Sequence, residues 1–246
     1  MTNTLILIPS RIAATRLPGK PLLKINNLSI ISHVFKRAEE ANIGEVVVAT
    51  EDQEIFEDVL KNGGKAILTA RHHKTGTDRI FEAYKKLDIK NIDYVLNLQG
   101  DEPDINKDDI ITLNDFMINN NADMGTLGAT IGDDKMLTDK NVVKVATENK
   151  LEKNNFPTAL NFIRDDLSKT YENIYHHIGI YSYRVEVLEN FVILDQTNNE
   201  IKNKLEQLRA LDNKLKINVA LAKSSPIGVD TVEDYLAIKK IMEYKS

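Results

Sequence analysis

The 246 residues include no cysteine, which excludes disulfides, zinc–thiolate sites, iron–sulfur clusters and a thiol nucleophile. Positive charge is not in excess either: 32 lysines and arginines stand against 37 acidic residues, for a net charge of −5. A general nucleic-acid binder needs a basic surface to neutralise phosphates, so nucleic acid is not the expected partner. An anionic small ligand stays open wherever cations are gathered locally. The opening "MTNTLILIPS" has no basic leader, and its apolar run is too short for a signal segment or a membrane span. The expectation is a cytoplasmic protein with no membrane insertion. Repeats and low-complexity blocks are absent from the sequence. Glycine-based nucleotide motifs are missing too. There is no G-x-G-x-x-G, and a Walker A reading around Gly19-Lys20 fails because Ala14 and Pro21 stand where Gly and Ser or Thr are needed. No G-x-S-x-G elbow marks a serine hydrolase. The five histidines fall as His33 and the pairs 72–73 and 176–177. None has the spacing of a transition-metal site.

What is present reads as α/β. "TLILIPS", "EVVVAT", "KAILTA" and "DYVLNLQ" are short apolar runs of the kind buried on both faces of a parallel sheet. Between them lie helical patterns: Ile30, Ile31, Val34, Phe35, Ala38 and Ala41 in one, and Ile80, Phe81, Tyr84 and Leu87 in another. Thr50 with Gln53 predicts a capping box for the helix "EDQEIFEDVLKN", which Gly63 and Gly64 end. Four strands separated by helices predict right-handed βαβ units in a doubly wound sheet. After about residue 122, "MGTLGATI", "VVKVAT", "TALNFI" and "HHIGIYSY" follow with little helix between them. Antiparallel or mixed pairing and a small β extension are therefore expected. Helices at about 184–194 and 200–212, a strand "KINVALAK" and a closing helix from Thr231 complete the reading. No Pro/Gly/Ser linker divides the chain, so one compact domain spanning 1–246 is expected.

In open parallel sheets, ligands bind beyond the carboxyl ends of the strands. Two loops there are chemically unusual. The first, "SRIAATRLPGKP", carries Arg11, Arg16 and Lys20 in a stretch stiffened by Pro18, Gly19 and Pro21. Arginine forks onto two oxygens and lysine supplies a mobile point charge, so this loop can hold phosphates with side chains. The alternative is a solvated basic loop that binds nothing. The second, "LQGDEPDI", delivers Asp101 and Glu102 just past a strand end. Mg²⁺ is commonly held against phosphates by one or two such carboxylates. The alternative is an acidic turn with Glu102 at a helix start. Near the end, "IGVDTVEDY" places Asp230 before a Thr231/Asp234 capping pattern. Asp230 could be a second metal ligand or simply favour the positive helix terminus. Cations for polyphosphate, carboxylates for Mg²⁺ and no nucleophile motif together suggest direct nucleotidyl transfer.

The stretch "IPSRIAATRLPGKPLLKI" resembles the sugar-acid cytidylyltransferases, and within them the branch acting on 3-deoxy-manno-octulosonate (KDO). "VVVATED", "TGTDRI", "NLQGDEP", "NVVKV", "HHIGIYSYR", "LEQLRAL" and "GVDTVEDY" follow in that family's order. The resemblance implies a Rossmann-like nucleotidyltransferase domain with a mixed, mostly parallel central sheet. It also implies a homodimer, with the dimerisation elaboration at roughly 150–195. The implied reaction is CTP plus KDO giving CMP-KDO and pyrophosphate for lipopolysaccharide synthesis, with Mg²⁺ as cofactor. By the same resemblance Arg11 and Lys20 hold the triphosphate, with Arg16 in the same nucleotide-binding loop, Thr75, Gly76, Thr77 and Arg79 lie over the nucleotide, and Gln99 neighbours ribose and base. Asp101 and Asp230 match the magnesium ligands, and Arg164, His177, Tyr181, Glu206 and Gln207 match the sugar-acid pocket. Three departures stand out: "NFIRDDLSKT" around Arg164, His176 where arginine is common, and Val232 where proline is common. The first two lie near the sugar acid and keep an 8-amino-KDO or a sialic acid open as substrate. A non-catalytic nucleotide-binding regulator would not need both aspartates, and a glycosyltransferase would carry an Asp-x-Asp motif that "DEPD" does not supply.

Overall fold

The computed structural model describes residues 3–13, 16–166 and 170–244. The chain forms two compact units, Met1–Ile110 with Pro226–Ser246, and Ile111–Ser225. The first unit is built on β1 (Thr4–Ser10), whose Leu5, Ile6, Leu7 and Ile8 are fully buried. Each such side chain contributes roughly 1.5–3 kcal/mol on leaving water, which fixes β1 as the centre of the unit. A small hairpin, β2 (Lys24–Ile25) and β3 (Leu28–Ser29), leads into α1 (Ile30–Glu40). The Ser29 hydroxyl accepts from the Ser32 N–H at 3.2 Å and caps that helix. β4 (Gly44–Thr50), α2 (Gln53–Lys61), β5 (Ala66–Leu68), α3 (Gly76–Leu87) and β6 (Tyr94–Asn97) follow. The strands lie in the parallel order β6-β1-β4-β5, as the buried apolar runs predict. At Gly44 the backbones approach so closely that a Cβ would stand 1.8 Å from the Thr4 carbonyl oxygen, so only glycine fits there.

One expected cap is not formed. Thr50 remains the last residue of β4, and α2 starts behind Asp52 without a side-chain cap. The Thr50 hydroxyl accepts from the Asp52 N–H at 3.1 Å, while Gln53 bonds Glu57 one turn on at 2.8 Å. The Asp52 carboxylate is used elsewhere, as described below. α4 (Lys107–Asn120), which carries the chain toward the second unit, was not anticipated. Ile110, Leu113 and Met117 at helical spacing are its buried face. Asn106 stands before it and accepts from the Asp108 N–H at 3.0 Å. Glu102 is therefore not a helix-start residue.

The second unit contains β7 (Met124–Ala129), the short α5 (Lys135–Thr138), β8 (Lys144–Thr147), β9 (Ala159–Ile163) and β10 (Ile174–Arg184). α6 (Val185–Val192), α7 (Asn198–Asn203), α8 (Gln207–Asp212) and β11 (Ile217–Leu221) follow. β10 pairs antiparallel with β7 and β8, β8 antiparallel with β9, and β11 parallel with β7. Mixed pairing is what the loosened alternation predicts. The helix expected over 200–212 is two helices, because Lys204 takes a left-handed conformation (φ 53°) and closes α7 before α8 begins.

The chain returns to the first unit with α9 (Val232–Tyr244). Thr231 and Asp234 form the expected capping box, at 2.9 and 3.2 Å. Ile238 and Met242 of this helix pack with Leu17, Ile25, Ile30 and Val229. Among the described residues no helix is long and apolar enough to cross a membrane.

Candidate active site

A cleft of about 390 Å³ opens at the carboxyl ends of the parallel strands of the first unit. Its floor is the loop after β1. The Ile12 N–H donates to the Asp52 carboxylate at 2.7 Å, which anchors the backbone beside Arg11. Ala14 and Thr15 lie outside the described residues. Gly19 adopts φ 70°, where a side chain would be strained, and turns the chain into a single 3-10 turn at Lys20–Leu22. That turn directs Lys20 at two carboxylates. Its ammonium donates to Asp101 at 2.7 Å and to Asp230 at 3.2 Å. Burial alone would lower the lysine pKa, but Asp101 and Asp230 outweigh it and hold Lys20 above its ordinary value. Arg16 reaches the other oxygen of Asp230 at 2.9 Å. The three cations are not equivalent, for the Lys20 side chain is 13% exposed and that of Arg16 60%. The lysine is the less screened of the two cations, although its carboxylate partners stay part-exposed.

Two loops bring the aspartates together across the long gap in sequence. The Val229 N–H donates to the Asp101 carbonyl at 2.9 Å, which ties the end of the chain to the turn after β6. At Gly100 a Cβ would stand 3.0 Å from the Pro9 carbonyl oxygen, so glycine lets that turn lie against the β1 loop. The capping of α9 falls to Thr231 and Asp234, which leaves the Asp230 carboxylate to Lys20 and Arg16. Next to Asp101, Glu102 is half-buried, and its enclosed Oε2 has no hydrogen-bond partner. Burial first, then the Asp101 charge, push its carboxyl up to about 8.

The opposite wall is the start of α3. Thr75 caps the helix in a reciprocal box with Asp78, and a Cβ at Gly76 would stand 3.2 Å from the Pro9 ring. Thr75, Gly76, Arg79 and Gln99 line the cleft with Arg11, His73 and Lys74. Thr77 is buried within α3. The Arg79 guanidinium bonds Glu51 at 2.5 Å, the Thr69 hydroxyl at 2.7 Å and the Ala70 carbonyl at 3.4 Å. It thus braces that wall. His73 is held by Glu82, which also accepts from the Ala70 N–H at 3.0 Å and from Lys86 at 2.6 Å. Burial opposes the ionised form of Glu82, yet bonds from Lys86, His73 and Ala70 hold it at about 2.

The five residues matched to a sugar-acid pocket lie in the second unit. His177 and Tyr181 are neighbours on β10, with ring centroids 5.4 Å apart, and the Phe162 ring meets His177 edge-on at 5.1 Å. The Tyr181 hydroxyl is buried without a partner; burial, Tyr183 and the Glu206 charge raise its pKa well above the ordinary value. Burial, then His176, push His177 down to about 3. Glu206 and Gln207 stand at the start of α8, where Arg209 lies 3.7 Å from the Glu206 carboxylate. Arg209 in turn makes a buried bidentate pair with Glu200, at 2.6 and 2.8 Å. Arg164 bonds the carbonyls of Lys140 and Asn141 at 3.2 and 3.4 Å, and its own carbonyl accepts from Lys144. Residues 167–169 of the altered segment lie outside the described residues. His176, on the neighbouring strand position, bonds Ser225 at 2.6 Å.

A family model described as cytidylyltransferase matches residues 5–217. A 3-deoxy-manno-octulosonate cytidylyltransferase of Nitrobacter hamburgensis is 42% identical over 98% of this chain and 93% of that protein. One of Rhodopseudomonas palustris is 42% identical over 99% of both. The chain belongs to the 3-deoxy-manno-octulosonate cytidylyltransferase family. A solved member, CMP:2-keto-3-deoxy-manno-octonic acid synthetase complexed with CTP, is 33% identical, with a TM-score of 0.90 and full coverage of both chains. The fold is accordingly the α/β nucleotidyltransferase type, mixed but mostly parallel in its sheet, with β8 and β9 as a small extension.

In this cytidylyltransferase, sequence reasoning missed the residues that hold the functional ones in place. Glu51 and Asp52 were quoted within "VVVATED", yet nothing local signals that one braces Arg79 and the other anchors the Arg11 loop. Thr126 carries no motif signal; Arg209 stands within "LEQLRAL" and Glu200 closes a Thr197 capping box, but neither pattern reports that the two side chains pair. The aspartate pair fits a divalent cation of this family, because oxygens of Asp101 and Asp230 already converge on one ammonium. Two carboxylates, with substrate phosphates and water, are the donor set that Mg²⁺ takes. Among the described residues no cluster of three or more His, Asp or Glu competes for such an ion.

Proposed function

We propose that this chain transfers the cytidylyl group of CTP to KDO, giving CMP-KDO and pyrophosphate for lipopolysaccharide synthesis. The observation that carries the reading is Lys20 held between Asp101 and Asp230 in a cleft lined by arginines and lysines. Such a cleft suits a polyphosphate whose charge must be neutralised as it departs. The anomeric hydroxyl of the sugar acid attacks the α-phosphorus; the new O–P bond forms as the bond to the β-phosphate oxygen breaks. Pyrophosphate leaves with the electron pair, and the hydroxyl proton passes to solvent. Lys20 and Arg11 hold the departing phosphates, with Arg16 at the exposed edge of the same loop. Thr75, Gly76 and Gln99 face the nucleotide, while Arg79 and Thr77 keep that wall rigid. Asp101 and Asp230 would hold Mg²⁺, which would supply charge neutralisation at the phosphates and polarise the attacking oxygen. His177, Tyr181, Glu206, Gln207 and Arg164 receive the sugar acid.

The whole chain acts as one cytidylyltransferase domain in a cytoplasmic homodimer, with the elaboration at roughly 150–195 contributing to dimerisation. The test is Mg²⁺-dependent pyrophosphate release with each of the four common nucleoside triphosphates against KDO, 8-amino-KDO and a sialic acid. Release from CTP with KDO is expected to exceed every other pairing. If no sugar acid triggers release from CTP, the reading is wrong.

A further inference from the structure

On β10 the pairing with β7 is interrupted. His177 faces Gly128 and Ile178 faces Leu127, but the residue opposite Thr126 is Tyr181. Gly179 and Ile180 are thus two extra residues, a bulge that leaves carbonyls without a ladder partner. An even insertion keeps the alternation in phase, so His177 and Tyr181 stay on the face that Thr126 shares. Thr126 is fully buried. Its hydroxyl lies 2.7 Å from the Ile180 carbonyl oxygen, 3.2 Å from that of Ile178 and 3.0 Å from His177 Nε2.

A threonine hydroxyl has one proton to give and two lone pairs to offer. Both carbonyls can only accept, so the proton goes to them. Toward His177 the hydroxyl can then only accept, and Nε2 must carry the hydrogen. The ring is enclosed by Phe162 and Tyr181, and its depressed pKa keeps it neutral. A neutral imidazole has a single N–H, so Nδ1 is left as a bare acceptor. No described residue hydrogen-bonds Nδ1.

We infer that Thr126 fixes His177 as its Nε2–H tautomer, so that His177 offers the sugar acid an acceptor for one of its hydroxyl groups and no donor for its carboxylate. Thr126 is therefore a positioning residue that sets what the pocket reads, an assignment that rests on the sugar-acid pocket proposed above. Arginine or lysine, not this histidine, must then neutralise the substrate's carboxylate.

The experiment is ¹⁵N NMR of the free, histidine-labelled chain at neutral pH, with the His177 ring assigned from the signals lost in His177→Gln. A pyrrole-type Nε2 and a pyridine-type Nδ1 are expected. Thr126→Val, which keeps the shape and removes the hydroxyl, should abolish that preference and raise the KM for KDO about tenfold, the weight of one neutral hydrogen bond, with the KM for CTP unchanged. Thr126→Ser should restore both. An Nδ1–H ring or an imidazolium in the unmodified chain overturns the inference, as does a Thr126→Val variant with unaltered ring signals. Because the ring is read without substrate, a chain with the expected tautomer that turns over no KDO refutes the proposed activity and the hydroxyl contact, while the tautomer assignment stands.

Discussion

Replacing Lys20 with methionine keeps the length of the side chain and removes the one charge that touches both Asp101 and Asp230. The cost to folding is small, because the two carboxylates are 31% and 48% exposed and water screens what the lysine leaves behind. About 1 kcal/mol is expected, which for a chain of this size lowers Tm by roughly 2–4 °C. The cost to turnover is larger. A preorganised donor aimed at charge that develops in the transition state is worth about 10²–10³ in rate. Each tenfold loss is about 1.4 kcal/mol of barrier, so the kinetic penalty should be about 3–4 kcal/mol, several times the stability penalty. The assay is steady-state pyrophosphate release beside a thermal melt of the same preparation. A variant that melts within a few degrees of the parent and retains more than a third of its kcat/KM would refute the role given to Lys20. A variant that fails to fold would refute the claim that the lysine serves chemistry more than structure.

Asp230→Asn should leave the fold intact, since Thr231 and Asp234 cap α9 without it. It should weaken Mn²⁺ binding measured by paramagnetic resonance and lower turnover at least about a hundredfold; unchanged affinity for the ion would remove Asp230 from the metal site. Glu200→Gln removes the bidentate charge partner of Arg209, whose side chain is only 3% exposed, and leaves it the Glu206 carboxylate at 3.7 Å. Breaking a buried ion pair costs up to about 3–5 kcal/mol, less where a second carboxylate remains, so the chemical-denaturation midpoint should fall, and a loss below about 1 kcal/mol would show that the pair is not buried in solution. His177, neutral in the folded chain down to about 3 against an ordinary 6.5, binds its proton in the unfolded state first. Stability must therefore fall as pH drops through that window, at up to about 1.4 kcal/mol per unit. The difference in unfolding free energy between the parent and His177→Gln should shrink between about pH 6 and 4; parallel curves would contradict the depressed pKa.

Much of the scaffold is legible in the sequence because burial on both faces of a parallel sheet leaves so plain a mark. β1, β5 and β6 fall within the apolar runs quoted from the sequence, and β4 begins one residue before its run. The Thr231/Asp234 box is equally local, a hydroxyl and a carboxylate three residues apart. The Thr50/Gln53 box has the same spacing and does not form, because the helix starts two residues later, behind Asp52, whose carboxylate accepts from the Arg11 loop instead. That competition is tertiary, and no local pattern reports it. The residues of the phosphate site could be nominated from their chemistry and from the family resemblance. Their meeting could not, since Asp101 and Asp230 converge only through the Val229 to Asp101 backbone bond and the turn that aims Lys20. Supporting residues such as Glu51, Thr126 and Arg209 stayed hidden for the same reason: each acts through a partner distant in sequence.

The central claim is that this cleft grips the β- and γ-phosphates while the α-phosphorus is passed to a sugar acid. CTP labelled at the α-phosphate, and separately at the γ-phosphate, tests it in one incubation with KDO and Mg²⁺. The account predicts the α-label in a sugar-acid nucleotide and the γ-label in pyrophosphate. An α-label that remains in CTP or CDP, or a γ-label released as inorganic phosphate, would contradict it.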